Sequence, residues 1–354
     1  MPSVTLLTDA EAALGRLAGA GRLLPNPHIV IRLYLLREAV SSARIEGTQT
    51  DLQEVLESVA SEEEPNPDVE EVVNYLRALD AGIEMAARVP LGIRVLRTMH
   101  ASLLDGVRGR ERQPGELRRS QNWIGVPGAT PESAIFVPPP PDELGDLLAD
   151  WERFANEEHK LPTLVSAALL HYQFETLHPF LDGNGRLGRL LIIFYLIARG
   201  RLPAPLLYLS PYLEERRDEY FACLQGVRER GDFDTWLRFL LRGVETQAND
   251  AVARAERLLD LREQYRTATA GLRSQAASLV DLVLEMPVVT ARLVETKVSV
   301  TRPTAFRLLG QLADLGIITE SPVGARRQRR WVAQQVLEAQ AGPITATRSV
   351  SSAT

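Results

Sequence analysis

Residues 178–189 read HPFLDGNGRLGR and run directly into the apolar stretch LLIIFYLIA at 190–198. Pro179 disfavours α conformation at the residue before it, so the preceding helix is expected to end at about Leu177 and leave His178 in a loop. Asp182, Gly183 and Asn184 then fall in the turn before the next helix, whose apolar stripe begins at Leu187 or Leu190. Gly183 and Gly185 let the backbone approach a ligand closely. Free N–H groups at a helix start, with the macrodipole, make an anion site that Arg186 and Arg189 can both reach. Asp182 beside such a site suits Mg²⁺ bridging phosphate oxygens. His178, a neutral base near pH 7, suits taking a proton from an attacking hydroxyl. Together these residues point to phosphoryl or nucleotidyl transfer; the bland alternative is a charged loop whose arginines pair with nearby acids. A zinc site of His171, Glu175 and His178 is disfavoured, because Pro179 takes His178 off the helix face and no fourth His or Cys stands nearby.

Outward from that stretch, helical spacing dominates, punctuated by Gly and Pro. Helices are expected at 28–46 with Gly47 as stop, then from about residue 51 to 59, and at 69–88, 91–105, 142–158, 163–177, 185–199, 211–229 and 232–243. A long polar helical connector follows over 245–275, and SEEEPNPD at 61–68 reads as a loop. NWIG at 122–125 and AIFV at 134–137, closed by prolines 138–141, read as a β-hairpin, the one sheet expected in the first two-thirds. Residues 276–320 give three short helices, SPVGARRQRRWV at 321–332 a turn between strand-like pieces, and the Ser/Thr/Ala-rich end from Gly342 a disordered tail.

Composition bounds the class. At 354 residues, 45% hydrophobic and 24% charged, the chain reads as a soluble globular protein of two or three domains. No stretch approaches a membrane-spanning run, and Met1 to Ala20 lacks a signal-peptide pattern, so a cytoplasmic protein is expected. The one cysteine, Cys223, is assigned to packing and fits a reducing compartment. Net charge is −6, yet residues 291–332 carry eight basic against three acidic residues.

HPFLDGNGRLGR matches the Fic motif, H-x-F-x-(D/E)-G-N-(G/K)-R-x-x-R, at every specified position. RRSQNWIG followed by AIFVPPPP looks like that family's flap hairpin. REAVSSARIEGT contains Ser42 and Glu46 in a match to its inhibitory pattern, (S/T)-x-x-x-E-(G/N). The resemblance spans roughly residues 25–240. It implies a mainly α Fic-type helical bundle and an enzyme that moves AMP from ATP, with Mg²⁺, to a Ser, Thr or Tyr hydroxyl of a protein, the chain itself included. His178 would be the general base, Asp182 the Mg²⁺ ligand and Phe180 the buried anchor. Gly183, Asn184, Gly185, Arg186, Leu187 and Gly188 would cradle the phosphates, with Arg189 on the γ-phosphate. Asn122, Trp123, Ile124 and Gly125 would line the nucleotide pocket, although Asn122 departs from the apolar residue common there. Tyr220 resembles a position near the adenine, with a core aromatic as the equal alternative. Glu46 would inhibit by occupying Arg189; in some members such a residue serves AMP removal instead, and another donor such as UTP remains open.

At the C-terminal end, two short helices joined by a turn at Thr301, followed by GARRQRRWV, resemble a winged helix-turn-helix. Arg302, Thr304, Arg307 and Arg327 are its candidate DNA contacts. Such modules also bind proteins or pair subunits, so a homodimer is a further expectation. The expected plan is an N-terminal helical region over 1–95, a core with flap over 96–243, a connector over 244–275, the winged helix over 276–340 and a tail over 341–354. The rival to the enzyme is a DNA-binding regulator whose core senses a nucleotide.

Overall fold

The computed structural model describes residues 4–23, 27–60, 65–86, 88–125, 128–158, 160–272, 275–321 and 329–341. The chain divides into two compact units, one of Met1–Leu24, Tyr34–Ser58 and Glu63–Ala248, the other of Pro25–Leu33, Val59–Glu62 and Asn249–Thr354. Its helices up to that division are α1 (Val4–Leu23), α2 (Pro27–Ile45), α3 (Leu52–Ala60), α4 (Pro67–Ala86), α5 (Ile93–Leu103), α6 (Leu144–Asn156), α7 (Thr163–Leu177), α8 (Asn184–Ala198), α9 (Ser210–Glu215), α10 (Arg217–Arg230) and α11 (Phe233–Thr269).

The centre of the first unit is the pair α7 and α8. Both are apolar around most of their circumference, which a helix sustains only when buried on all sides. They pack on each other, α6 covers α7, and α4 and α5 cover α8. Beside them Trp236 stacks on His171 with ring centroids 5.8 Å apart, and its indole N–H donates to the Ala168 carbonyl at 3.1 Å. Tyr220 and Phe239 complete this aromatic cluster, each with its centroid 6.2 Å from that of Trp236. Asp51 caps α3 by accepting from the Glu54 N–H at 2.8 Å, and Gly47 ends the α2 segment at φ 96°.

Several expected elements take a different form. The hairpin shrinks to one antiparallel bridge, Ile124 to Phe136. Its neighbours spend their polar groups elsewhere: the Gln121 side chain donates to Pro138 O, the Asn122 side chain donates to the 178–180 loop, and residues 131–133 form a 3₁₀ turn. The helix expected over 211–229 breaks at Arg216 into α9 and α10. Conversely, the helix at 232–243 and the polar connector are one continuous α11; no proline falls between 212 and 286 to interrupt it. Part of the 61–68 loop and the whole tail from 342 lie outside the described residues.

The second unit holds α12 (Gln275–Glu285), β1 (Val288–Thr290), α13 (Ala291–Val298), α14 (Arg302–Asp314), β2 (Thr319–Glu320), β3 (Arg330–Val332) and α15 (Gln334–Ala341). The strands form an antiparallel sheet in the order β1-β3-β2, with Val289 opposite Trp331 and Glu320 opposite the same residue. Thr290 caps α13 by accepting from the Leu293 N–H at 3.1 Å, and Ser299 turns the chain at φ 55° into α14. Strand β1 and helix α15 are not among the expected elements.

Trp236 has no solvent exposure, so truncation removes a large buried surface and leaves a cavity against α7. Trp236→Ala is expected to destabilise the first unit by about 3–5 kcal/mol, and Trp236→Phe by clearly less, measured by urea denaturation.

Candidate functional site

The loop between α7 and α8 is built by its own side chains. Helix α7 stops where Pro179 requires, and His178 takes up the left-handed conformation at φ 45°, ψ 58° as the C-cap. Asn184 then acts as a backbone surrogate: its Oδ1 accepts from Phe180 N at 2.9 Å and its Nδ2 donates to Phe180 O at 2.8 Å. Phe180 is fully buried and stacks on His100, with centroids 3.9 Å apart and planes at 11°. Gly183 enters α8 at φ 74°, a conformation open to glycine at little cost, and its N–H donates to Asp182 Oδ1 at 2.6 Å.

Three residues outside the motif hold this loop. His100 Nδ1 accepts from the Gly115 N–H at 2.8 Å, which leaves Nε2 as the donor to the Asp182 carbonyl at 2.9 Å. Asn122 Nδ2 donates to His178 O at 3.2 Å and Phe180 O at 2.9 Å, and Arg118 Nε donates to His178 O at 3.0 Å. Sequence reading missed His100 and Arg118; their signal was a lone polar residue on the buried stripe of α5 and an arginine just before the flap.

Both motif arginines are buried, and acids from the N-terminal part of the chain stand beside them. Arg186 lies 3.6 Å from Glu71 and 3.8 Å from Asp182, with its Nε and Nη1 lacking hydrogen-bond partners among the described residues. Glu71, itself buried, accepts from Thr48 Oγ1 at 2.7 Å and lies 3.2 Å from Arg108. Arg189 donates from Nε to Ser42 Oγ and from Nη2 to Ser42 O, both at 2.9 Å, and from Nη2 to Glu46 Oε1 at 2.8 Å. Glu46 sits so close over the first turn of α8 that a Cβ on Gly185 would fall 2.3 Å from its Oε1. A carboxylate thus stands where a helix N-terminus favours an anion.

The remaining predicted positions divide. Trp123 is 41% exposed with its indole on Ala129 O; Ile124 forms the bridge to Phe136, and Gly125 follows it. Leu187 is wholly in the core, and Gly188 packs against Glu175 and Phe174, since helical periodicity turns these side-chain positions inward. Tyr220 is the core aromatic rather than an open adenine neighbour; it is 1% exposed and its hydroxyl meets His171 Nε2 at 2.9 Å. His171 Nδ1 contacts Gly188 O at 2.8 Å, so this histidine bridges α7, α8 and α10. Cys223 is buried and free.

For Mg²⁺, the donor set offers one carboxylate. Asp182 keeps 40% of its side chain exposed, and among the described residues no cluster of three or more His, Cys, Asp or Glu could cage a metal. That fits a cation that keeps several waters and shares phosphate oxygens.

Comparison with known proteins agrees with this geometry. Residues 4–84 match the model of the Fic/DOC family N-terminal region and residues 90–196 that of the Fic/DOC family itself. The Protein adenylyltransferase Fic of Drosophila yakuba is 32% identical over 158 residues, which is 44% of this chain and 28% of that protein; that of Drosophila melanogaster gives the same figures. The matched region therefore spans well under half the length of those relatives. A Fic family protein from Desulfovibrio desulfuricans G20 has the same fold, with a TM-score of 0.60 at 21% identity over 94% of this chain and 98% of that one. Fic-1 (aa134–508) of C. elegans gives 0.52 at 21% identity, covering 71% of this chain and 73% of that one. The chain belongs to the Fic family. Among the described residues no helix is long and apolar enough to cross a membrane.

Burial sets the protonation states. His178 is lowered to about 4, chiefly by desolvation and then by Arg228, so it is a neutral imidazole at pH 7. His100 and His171 are likewise lowered to about 4 by burial. Burial opposes the charge of Glu46, but Arg189 and then Arg186 outweigh it and hold the carboxyl below its usual range. Glu175 goes the other way: burial raises it to about 7 against the pull of Arg189 and Arg228. A carboxyl raised on folding contributes most below the unfolded value of 4.5 and loses that contribution as pH rises through about 7. Glu175→Gln removes this loss. Its stability relative to wild type is expected to improve from pH 5 to pH 8 by on the order of 3 kcal/mol, read from urea melts at the two pH values.

Proposed function

We propose that the chain is a protein adenylyltransferase restrained by Glu46, transferring AMP from ATP to a protein hydroxyl and releasing pyrophosphate. The observation that carries the reading is the ion pair of Glu46 with the buried Arg189, at the α8 N-terminus, on the same loop as a neutral His178. The hydroxyl oxygen of the target attacks the α-phosphorus, the bond to the β-phosphate oxygen breaks, and the hydroxyl proton passes to His178. Asp182 would hold Mg²⁺, which would supply charge neutralisation at the phosphates. The N–H groups of the first turn of α8 and the buried Arg186 guanidinium would meet the same charge, and would stabilise it most in a site closed to water. The flap bridge leaves Ile135 and Val137 exposed, a surface suited to an extended target segment.

With Glu46 on Arg189, the γ-phosphate loses its guanidinium. Glu46→Gly is expected to raise AMP incorporation from labelled ATP and Mg²⁺, and His178→Ala in that background to abolish it. Glu46→Gly also removes the carboxylate hydrogen-bonded to the buried Arg189 and leaves it the Ser42 hydrogen bonds, so the variant is expected to melt below wild type without nucleotide and to gain more than wild type from ATP and Mg²⁺. Equal incorporation by wild type and Glu46→Gly would remove the inhibitory role.

We further propose that the C-terminal module is a winged helix that binds duplex DNA through α14. Arg302 and Arg307 are exposed on that helix and Thr304 is half-buried. The wing contributes less than its sequence charge implies, because Arg329 pairs bidentately with Glu320 at 2.6 Å for both oxygens. Arg327 lies outside the described residues. Binding of duplex DNA is expected to weaken steeply with salt and more weakly so in Arg302→Ala/Arg307→Ala; no binding at low salt by fluorescence anisotropy would exclude it.

A further inference from the structure

Arg118 is 2% exposed, and no carboxylate pairs with it among the described residues. Its charge is instead spread over carbonyl oxygens. Nη2 donates to Leu177 O at 3.3 Å and to Pro139 O at 2.5 Å, Nε donates to His178 O at 3.0 Å, and its own backbone N–H donates to Pro179 O at 2.9 Å. Leu177 O is one of the carbonyls that the end of α7 leaves without a helical partner, and the negative end of the helix dipole lies there. One guanidinium therefore satisfies the helix end, fixes the peptide that follows the base, and ties both to Pro139 at the C-terminal end of the flap segment.

His178 needs such a restraint. A non-glycine residue at φ 45°, ψ 58° is held there against a cost of about 1–2 kcal/mol, and release would let the ring leave its place. Asn122 also reaches His178 O, at 3.2 Å, but it is neutral and grips only the loop, not the helix end. We propose that Arg118 is the positioning residue for the general base: it locks the His178 peptide to α7 and to Pro139, so that base and flap keep a fixed distance. The inference rests on the transferase reading above and names a further residue that the reaction requires.

The test uses the full chain carrying Glu46→Gly, with Arg118→Gln and Arg118→Lys added separately. Self-incorporation of AMP is followed as a function of ATP concentration. Arg118→Gln is expected to lower the maximal rate by about 10²-fold, as for an ångström-scale misplacement of a reacting group, with half-saturation by ATP changed by less than about twofold. Arg118→Lys keeps charge but cannot span three carbonyls, and should recover only part of the rate. An unchanged maximal rate in either folded variant, or a loss that appears wholly in half-saturation, overturns the proposal; if the glutamine variant does not fold, the lysine variant decides. Amide hydrogen exchange of residues 178–184 supplies an arm that does not depend on transfer. Exchange should quicken about tenfold in Arg118→Gln while α5 amides are unchanged, and unaltered exchange overturns the positioning role. If Glu46→Gly transfers no AMP, the transferase reading fails and the holding of His178 by Arg118 stands or falls on exchange alone.

Discussion

A buried guanidinium is the constraint around which the first unit is arranged. Arg189 sits on the inward face of α8 with 2% exposure, and a charge placed there must be met from every side. Ser42 meets it with a hydroxyl and a carbonyl, Glu46 with a carboxylate, and the segment that supplies all three is the end of α2. That helix is in turn tethered through Glu38, a buried carboxyl raised by desolvation, which accepts from Ser210 N at 2.9 Å and Tyr75 OH at 2.9 Å. The segment that carries Ser42 and Glu46 is thus part of the packed core.

The loop that carries the site solves a different problem with the same means. Left-handed conformations at His178 and Gly183 bring carbonyls away from regular helix bonding, and each is recovered by a side chain: Phe180 O by Asn184 and Asn122, Asp182 O by His100, His178 O by Arg118 and Asn122. Polar groups spent in this way make the loop rigid before any ligand arrives. Rigidity of that kind is what electrostatic stabilisation of a transition state requires, because dipoles already aimed do not have to reorganise.

Much of this was legible in the sequence because it rests on local rules. Pro179 set the end of α7, Gly47 the end of the α2 segment, and apolar runs without polar faces marked the central pair. The spacing of His178, Asp182, Arg186 and Arg189 placed them on one loop and one helix start. What was not legible depends on contacts across long separations. Glu71 beside Arg186, His100 under Phe180 and Arg118 at the end of α7 leave no periodic trace. At Leu187 and Gly188 the motif carries packing positions alongside its polar ones, and only the helix phase separates the two. The hairpin is present in shorter form, as the Ile124–Phe136 bridge, with Asn122 bonded through its side chain to the 178–180 loop.

The closeness of Glu46 to Gly185 has a thermodynamic consequence. Two anions cannot share the space above that glycine, so under the proposed function nucleotide and the Glu46 carboxylate would compete for α8, and their affinities for it would be linked reciprocally. Whatever firms the end of α2 would then weaken nucleotide binding by a given factor, and bound nucleotide would loosen the end of α2 by that same factor. The chain would therefore carry a readout of its own nucleotide occupancy in the order of one helix terminus.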